Sequence, residues 1–130
     1  MYRNIADKYR TSAIATASPA ELVLMLYEGA IKFANIALMA MEKNDYSEYE
    51  KINTNIKKAR AIITELRSTL DKKYPVWEDF ERVYEYIEWC LSEANMHKDA
   101  AMLQEALKRI REMRDTWKEV MRLNNVGGGH

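Results

Sequence analysis

Apolar residues between Ser18 and Lys43 follow a helical period and cover most of the circumference of the helix that they predict. At about 100° per residue they form one continuous arc, and the polar residues occupy a narrower stripe. A surface helix usually has a narrower apolar stripe than this. We therefore predict a central helix one, with other helices packed on most of its surface. The arc contains Leu22, Val23, Leu26, Tyr27, Ala30, Ile31, Phe33, Ala37 and Leu38.

The start of helix one carries the residues of a capping box. Ser18 suits the N-cap, and Pro19 suits the first helical position, where its missing N–H costs nothing. Glu21 falls three residues after the cap, so its carboxylate can reach back to the backbone N–H of Ser18. The helix is therefore predicted to begin at this pair.

Helix two is predicted from apolar residues spaced alternately three and four apart, which is typical of a seam between packed helices. It begins near Ser47, where Glu50 repeats the capping-box spacing. The basic residues take other faces, and we expect them in solvent. The predicted seam is Tyr49, Ile52, Ile56, Ala59, Ile63, Leu66 and Leu70, and the solvated residues are Lys51, Lys57, Lys58, Arg60 and Arg67.

Two more helices follow the connector 71–74. Pro75 allows the chain to restart, and helix three runs to about Ala94. A short polar turn then leads to Asp99, which suits the N-cap of helix four, and two asparagines before a run of glycines end that helix. The predicted seams are Phe80, Val83, Tyr84, Ile87, Leu91 and Ala94 on helix three, and Leu103, Ala106, Ile110, Met113, Trp117 and Val120 on helix four.

These elements predict an all-α fold, an antiparallel up-down four-helix bundle with short connections. One domain spans residues 1–126, and its first part, 1–17, is a lead-in segment. Ile5 and Tyr9 are four apart there, the spacing of a single helical turn; a frayed terminus is the alternative. We take residues 127–130 as a flexible tail or an artificial addition and exclude them from the fold.

Composition narrows the range of partners and compartments. The 130 residues include 20 basic and 20 acidic side chains, so no overall field attracts nucleic acid or an anionic membrane. The longest apolar run, 22–27, is short for a membrane span, and no signal peptide opens the chain. A single cysteine, Cys90, excludes an internal disulfide and suits a reducing cytosol. We expect a cytoplasmic protein that neither binds nucleic acid nor inserts into membranes.

The side chains needed for catalysis or metal binding are missing from the pattern. His97 is the one histidine inside the predicted fold, and it falls in the turn between helices three and four. A di-iron bundle would need Glu-x-x-His on two helices, and no such pair of motifs occurs. Cys90 lies beside the seam of helix three and is interpreted as a buried structural thiol. No Gly-rich phosphate loop is present. We expect no enzyme activity, no catalytic residue, no metal and no cofactor.

Apolar side chains outside the seams suggest a binding surface. Tyr86 and Trp89 project roughly opposite to the seam of helix three, and the chain contains eight Met and eight Tyr. Such side chains suit a surface that adapts to a partner helix or linear segment. The alternative is that they pack against loops or the lead-in, and both interpretations stay open here. The other residues of this kind are Ile62, Met102 and Met121.

Several motifs resemble the flagellar secretion chaperone FliS family. They are Tyr9, Thr16-Ala17-Ser18-Pro19, Glu21-Leu22, Met25-Leu26-Tyr27-Glu28-Gly29-Ala30, Tyr84-Glu85-Tyr86, Leu91, Glu93-Ala94-Asn95 and Arg114-Asp115-Thr116-Trp117. They occur in order over nearly the whole chain. Two departures stand out, since family members usually have a glycine in the connector before helix three and often a basic pair at Glu88-Trp89.

The resemblance implies a small cytoplasmic helical bundle that works as a chaperone. Such proteins bind the disordered C-terminal segment of flagellin, prevent its early polymerisation and deliver it to the flagellar type III export gate. Coupled folding and binding would keep the complex reversible. The alternative is a generic helical adaptor or dimerisation module with a folded partner, and a weak homodimer is a further option.

The partner groove is expected between helices two, three and four, because helix one is predicted to be enclosed by them. In the family, the lead-in is thought to lie over part of this groove in the free protein. The candidate residues are Ile5, Tyr9 and Ile14 in the lead-in, Ile56, Ile63 and Leu66 on helix two, and Tyr84, Tyr86, Ile87, Trp89, Leu91 and Asn95 on helix three.

Overall fold

The computed structural model describes residues 18–73 and 75–124, which fold into four α-helices and no strand. They are α1 (Pro19–Glu42), α2 (Tyr49–Ser68), α3 (Trp77–His97) and α4 (Ala100–Leu123), with a 3-10 turn at Tyr46–Glu48 before α2. The all-α prediction is confirmed. The lead-in 1–17, with Ile5, Tyr9 and Ile14, and the tail 127–130 lie outside the described residues.

The helices form a ring in which each packs on its two neighbours: α1 on α2, α2 on α3, α3 on α4, and α4 on α1. Cross-contacts pair the start of one helix with the end of the next, so neighbours run antiparallel. Thus Trp117 near the end of α4 contacts Ala20 in the first turn of α1. Likewise Arg67 near the end of α2 contacts Glu81 near the start of α3.

The expected central position of helix one is wrong. α1 is one wall of the ring, and α3 lies diagonally across from it. A helix in such a ring offers only part of its circumference to its neighbours, whatever the width of its apolar arc. Small residues dominate its buried face, and the large Leu26 and Phe33 are only half-buried on its flank. The buried residues of α1 are Tyr27, Ala30, Ile31, Ala34, Ala37 and Ala40.

α1 is also apolar enough to resemble a membrane span. The part of the chain that the structure describes contains one helix, Pro19–Glu42, whose length and composition would allow it to cross a bilayer. Here the helix packs on α2 and α4, as the core helix of a bundle does. Only 28% of its most apolar stretch is buried, however, so much of its apolar surface lies outside the core.

Two of the three predicted N-caps are confirmed. Ser18 Oγ accepts the N–H of Glu21 at 3.2 Å, and Asp99 Oδ1 accepts the N–H groups of Ala101 and Met102 at 3.0 and 3.2 Å. The Glu21 carboxylate accepts a hydrogen bond from the Ser18 hydroxyl at 3.2 Å, so the two side chains are joined. Each cap satisfies donors that the first helical turn leaves free.

Helix two starts near Ser47 as predicted, but Ser47 is not its N-cap. Asp45 is the capping residue, and its Oδ1 accepts the N–H of Ser47 at 3.0 Å. This bond caps the N-terminus of the 3-10 turn, and α2 starts at Tyr49. The backbone of Asn44 has φ 52°, a left-handed conformation that asparagine tolerates better than most residues. The N–H of Ser47, which the predicted capping box would have paired with Glu50, is therefore bound to Asp45 instead.

The core matches the predicted seams in the middle of each helix and departs from them at the ends. Tyr49 and Val120 were placed in seams, yet they are exposed, and Met121 rather than Val120 is buried at the end of α4. α3 also continues past Ala94 to His97, which leaves a turn of only two residues. The fully buried side chains include Ile52, Ile56, Ala59, Ile63, Leu66, Ile87, Cys90, Leu91, Ala94, Leu103, Ala106, Leu107 and Ile110.

Candidate functional site

Two aromatic rings are exposed on the outer side of α3. Tyr86 is 40% and Trp89 is 51% exposed, and their centroids lie 6.2 Å apart at an interplanar angle of 23°. The rings are therefore stacked, and each limits the movement of the other. The neighbouring Cys90 thiol raises the pKa of the Tyr86 phenol above its ordinary value, and Glu105 of α4 raises it further. A stacked, half-exposed aromatic pair offers apolar area that costs little conformational entropy to immobilise.

The Cys90 thiol lies beneath this pair and is fully buried. Burial raises its pKa, so the sulfur stays a neutral thiol near neutral pH. The interpretation of Cys90 as a buried residue is confirmed. Among the described residues, no group of three or more His, Cys, Asp or Glu side chains could hold a metal ion.

Most of the predicted groove residues on α2 and α3 lie in the interior of the bundle. None of the six is more than 4% exposed, so a partner could touch them only if the helices separated. Seam periodicity cannot tell a groove from a core, because both are apolar stripes along a helix. Partner contact by these residues stays a prediction. They are Ile56, Ile63, Leu66, Tyr84, Ile87 and Leu91.

Asn95, the remaining candidate, belongs to a polar cluster at one end of the bundle. Its Nδ2 donates to Asn53 Oδ1 on α2 at 2.7 Å, and Lys98 Nζ donates to its carbonyl and side-chain oxygens at 2.5 and 2.8 Å. The Lys98 ammonium also lies 5.3 Å from the centroid of the Tyr49 ring. Burial lowers the pKa of Lys98. Asn95 thus ties α3 to α2 and holds a lysine whose backbone is left-handed, with φ 51°.

A small cleft opens beside this cluster, between the connection from α1 to α2 and the turn from α3 to α4. Its volume is about 130 Å³, enough for a few water molecules and too small for a helix. The lining residues are Ala40, Met41, Asn44, Asp45, Tyr49, Ile52, His97 and Lys98.

An ion-pair network that the sequence pattern did not predict joins α2 and α3. Arg67, expected in solvent, donates to Glu81 and to Glu88 at 2.6 Å each. Thr64 donates to the other oxygen of Glu88 at 2.7 Å, and the Glu88 side chain is only 12% exposed. The signal was present, since two glutamates seven residues apart share one face of a helix. The negative charge of Glu88 is therefore paired with Arg67 at the α2–α3 interface. The next residue, Trp89, is exposed.

Three of the surplus apolar residues pack against the bundle and are not free for a partner. Met121 is 6% exposed, and Met102 packs on the core. Ile62 covers Gly29, where an added Cβ would lie 3.2 Å from Ile62 Cδ1. These three residues are therefore packed, but Met102 and Ile62 pack on the helices and not on the loops or the lead-in that the alternative named. Tyr86 and Trp89 are exposed, and the lead-in, their other expected contact, lies outside the described residues, so both interpretations of this pair stay predictions.

The sequence motifs found in separate helices meet in space. The Tyr27 and Tyr84 hydroxyls share a buried hydrogen bond. Trp117 Nε1 donates to the Ala20 carbonyl at 2.9 Å. Arg114 lies 3.7 Å from the Glu28 carboxylate across the α1–α4 interface. These motifs therefore join the helices of the bundle to one another.

Comparison with known proteins agrees with this arrangement. The family model described as "Flagellar protein FliS" matches residues 1–124. The flagellar secretion chaperone FliS of Bacillus subtilis is 36% identical over 119 residues, which cover 92% of this chain and 87% of that protein. The protein of the same name from Escherichia coli is 30% identical over 111 residues, covering 83% and 79%. That of Campylobacter jejuni is 28% identical over 123 residues, covering 92% and 94%.

Proposed function

This chain belongs to the FliS family of flagellar proteins, and from that premise we propose that it is a cytoplasmic chaperone for the disordered C-terminal segment of flagellin. In this role it holds the segment unassembled and delivers it to the flagellar type III export apparatus. The observation that carries the proposal is the match over residues 1–124, which includes every helix of the bundle.

The surface proposed for this segment centres on Tyr86 and Trp89. A disordered segment that folds on binding needs apolar anchors that are already ordered, because it must offset its own loss of conformational entropy. The stacked pair is such an anchor, since its rings are half-exposed and held by one another. Aromatic residues of this kind are common energetic centres of interfaces.

The lead-in residues Ile5, Tyr9 and Ile14 and the polar end at Asn95 complete the proposed surface. The lead-in is proposed to cover part of it in the free protein, as the family resemblance implies. In the closed bundle the core residues of α2 and α3 support α3, and they would contact the partner only if the helices separate. Export-gate components are the proposed next partners after flagellin.

Calorimetry with the C-terminal segment of flagellin from the same bacterium tests the proposal. We expect the wild-type chain to bind, and Trp89→Ala to weaken binding by about 1–3 kcal/mol. The matched control is Tyr46→Ala, which removes a ring that is 84% exposed at the end of the bundle. Both variants should change folded stability by less than about 1 kcal/mol.

The possible results distinguish an error in the proposed function from an error in the proposed binding surface. If the wild-type chain fails to bind the segment, the flagellin proposal is wrong. If the wild-type chain binds but Trp89→Ala and Tyr46→Ala behave alike, the segment lies elsewhere on the bundle. Binding to folded flagellin together with no binding to the isolated segment would favour the adaptor function.

A further inference from the structure

α1 carries a second apolar seam that faces away from the bundle. Its members follow the same helical period as the buried seam, except that Ile62 of α2 covers Gly29 between Met25 and Lys32. Met25 is 36% and Met39 is 66% exposed, and other apolar members are half-buried. This surface is what remains of the wide apolar arc after α2 and α4 have covered the rest. The outward seam consists of Leu22, Met25, Ile36 and Met39, with the charged Lys32 in its middle.

Basic residues line one half of the outward seam. Lys32 Nζ and Lys58 Nζ lie 5.6 and 5.3 Å from the centroid of the same half-buried ring, Phe33. Lys51 lies two turns before Lys58 on the same edge of α2. Glu65 continues that edge toward Leu22, so the basic rim is confined to the half of the seam near Phe33 and Met39.

The charges of this rim are not neutralised within the described part of the chain. Lys32, Lys51 and Lys58 lie within 4.0 Å of no carboxylate there, whereas Arg109 and Arg114 of α4 are paired with carboxylates of α4 or α1. An apolar stripe edged by free ammonium groups complements a partner with the same stripe edged by carboxylates.

We propose that the outward seam and its lysine rim form a docking surface for an amphipathic helix that carries carboxylates along the edges of its apolar stripe. The apolar members bury the stripe of the partner, and Lys32 and Lys58 meet its carboxylates next to Phe33. α1 and α3 are diagonal in the ring, so this surface faces away from Trp89. It is a second surface, separate from the one proposed for flagellin.

Charge also argues against two occupants from the protein itself. A second copy that paired its outward seam antiparallel about the middle of the seam would place the two Lys32 side chains beside each other, where like charges repel. Residues 1–17 contain Arg3, Asp7, Lys8 and Arg10, a basic balance that does not complement the rim.

Two labelled peptides, each about five helical turns long, test the proposal. Both form an amphipathic helix with the same leucine stripe, edged by Glu in one peptide and by Lys in the other. Fluorescence anisotropy with the full chain should show the Glu peptide binding about tenfold more tightly. The variant Lys32→Glu/Lys58→Glu should reverse this preference. The control Lys57→Glu/Lys73→Glu changes the net charge equally and should keep it, because both residues are exposed and Lys57 lies on the edge of α2 that Thr64 turns toward α3.

A further variant tests the apolar part of the surface. Met39→Glu alters a side chain that is 66% exposed, so the fold should persist, and affinity for the Glu peptide should fall about tenfold. The proposal is overturned if the wild-type chain binds both peptides equally, or if the control reverses the preference as well. It is also overturned if Met39→Glu changes the oligomeric state of the chain alone, or if the Glu peptide binds only after residues 2–17 are removed.

Discussion

The hydroxyl oxygens of Tyr27 in α1 and Tyr84 in α3 lie 2.5 Å apart in the interior of the bundle. Each side chain is only 4% exposed. Because α1 and α3 are diagonal in the ring, this hydrogen bond crosses the centre and links two helices that share little other contact. Each hydroxyl is the partner of the other, so neither polar group is buried unsatisfied. The pair therefore favours one height of α1 relative to α3.

Removing one of these hydroxyls should cost more than removing both. Tyr84→Phe leaves the Tyr27 hydroxyl buried without its partner, at a cost of about 1–3 kcal/mol in the free energy of unfolding. The double variant Tyr27→Phe/Tyr84→Phe replaces both hydroxyls by apolar edges and should be close to wild type. Urea denaturation measures all variants, with Tyr46→Phe as an exposed control. Losses that simply add in the double variant would contradict a direct hydrogen bond.

The same pair predicts a loss of stability in alkaline solution. Burial raises the pKa of both phenols above the ordinary value of 10.0, and for Tyr27 the neighbouring Tyr84 raises it further. Above that value the unfolded chain releases phenolic protons that the folded chain keeps. The unfolded state then binds fewer protons, so the free energy of unfolding falls as the pH rises.

Urea denaturation between about pH 8 and about pH 11 measures this effect. The wild type should lose stability more steeply than Tyr27→Phe/Tyr84→Phe, in which the two buried phenols are gone. The other tyrosines titrate in both proteins and serve as an internal control. Parallel curves would mean that Tyr27 and Tyr84 ionise in the folded protein as easily as in the unfolded one.

Arg67 should contribute more to the free energy of unfolding than an exposed basic residue such as Arg82. Arg67→Ala leaves the Glu88 carboxylate, 12% exposed, with only the Thr64 hydroxyl as partner. Because the Arg67 side chain is 32% exposed, solvent screens part of the loss, and we expect about 1–3 kcal/mol. Arg82→Ala is the matched control, with ion pairs of 3.7 and 4.0 Å at a side chain that is 72% exposed. Chemical denaturation yielding equal losses for the two would rule out a special role for the network.

The effect of Gly29→Ala on stability should depend on the residue at position 62. Alanine is favoured over glycine within a helix by about 1 kcal/mol. The new Cβ would lie 3.2 Å from Ile62 Cδ1, however, and that contact offsets the gain. Ile62→Val removes the Cδ1 atom, so adding Gly29→Ala should stabilise the Ile62→Val variant by about 1 kcal/mol and the wild type by less. Thermal melts of the four proteins test this, and an equal gain in both backgrounds would show that the contact costs nothing.

Part of the candidate site could be predicted from the sequence. The positions of Tyr86 and Trp89 off the seam of α3 follow from helical period alone, and both are exposed. The burial of Ile56, Ile63 and Ile87 was also implied by their place in seams, but the same pattern suggested a groove. Helical periodicity assigns residues to one face of a helix. It does not show whether that face packs on another helix of the same bundle or on a separate partner.

What the sequence determined by itself is local. The caps at Ser18 and Asp99 and the middle of each seam follow from interactions within a few residues, so the fold class was predictable. Tertiary structure decided which part of the apolar arc of α1 is covered and which part, including Met39, is left in solvent. It also decided that Arg67 meets two glutamates of α3. The exposure of Met39 and the partners of Arg67 depend on how many helices pack on α1 and α2 and at what height. The spacing of residues within one helix does not contain that information.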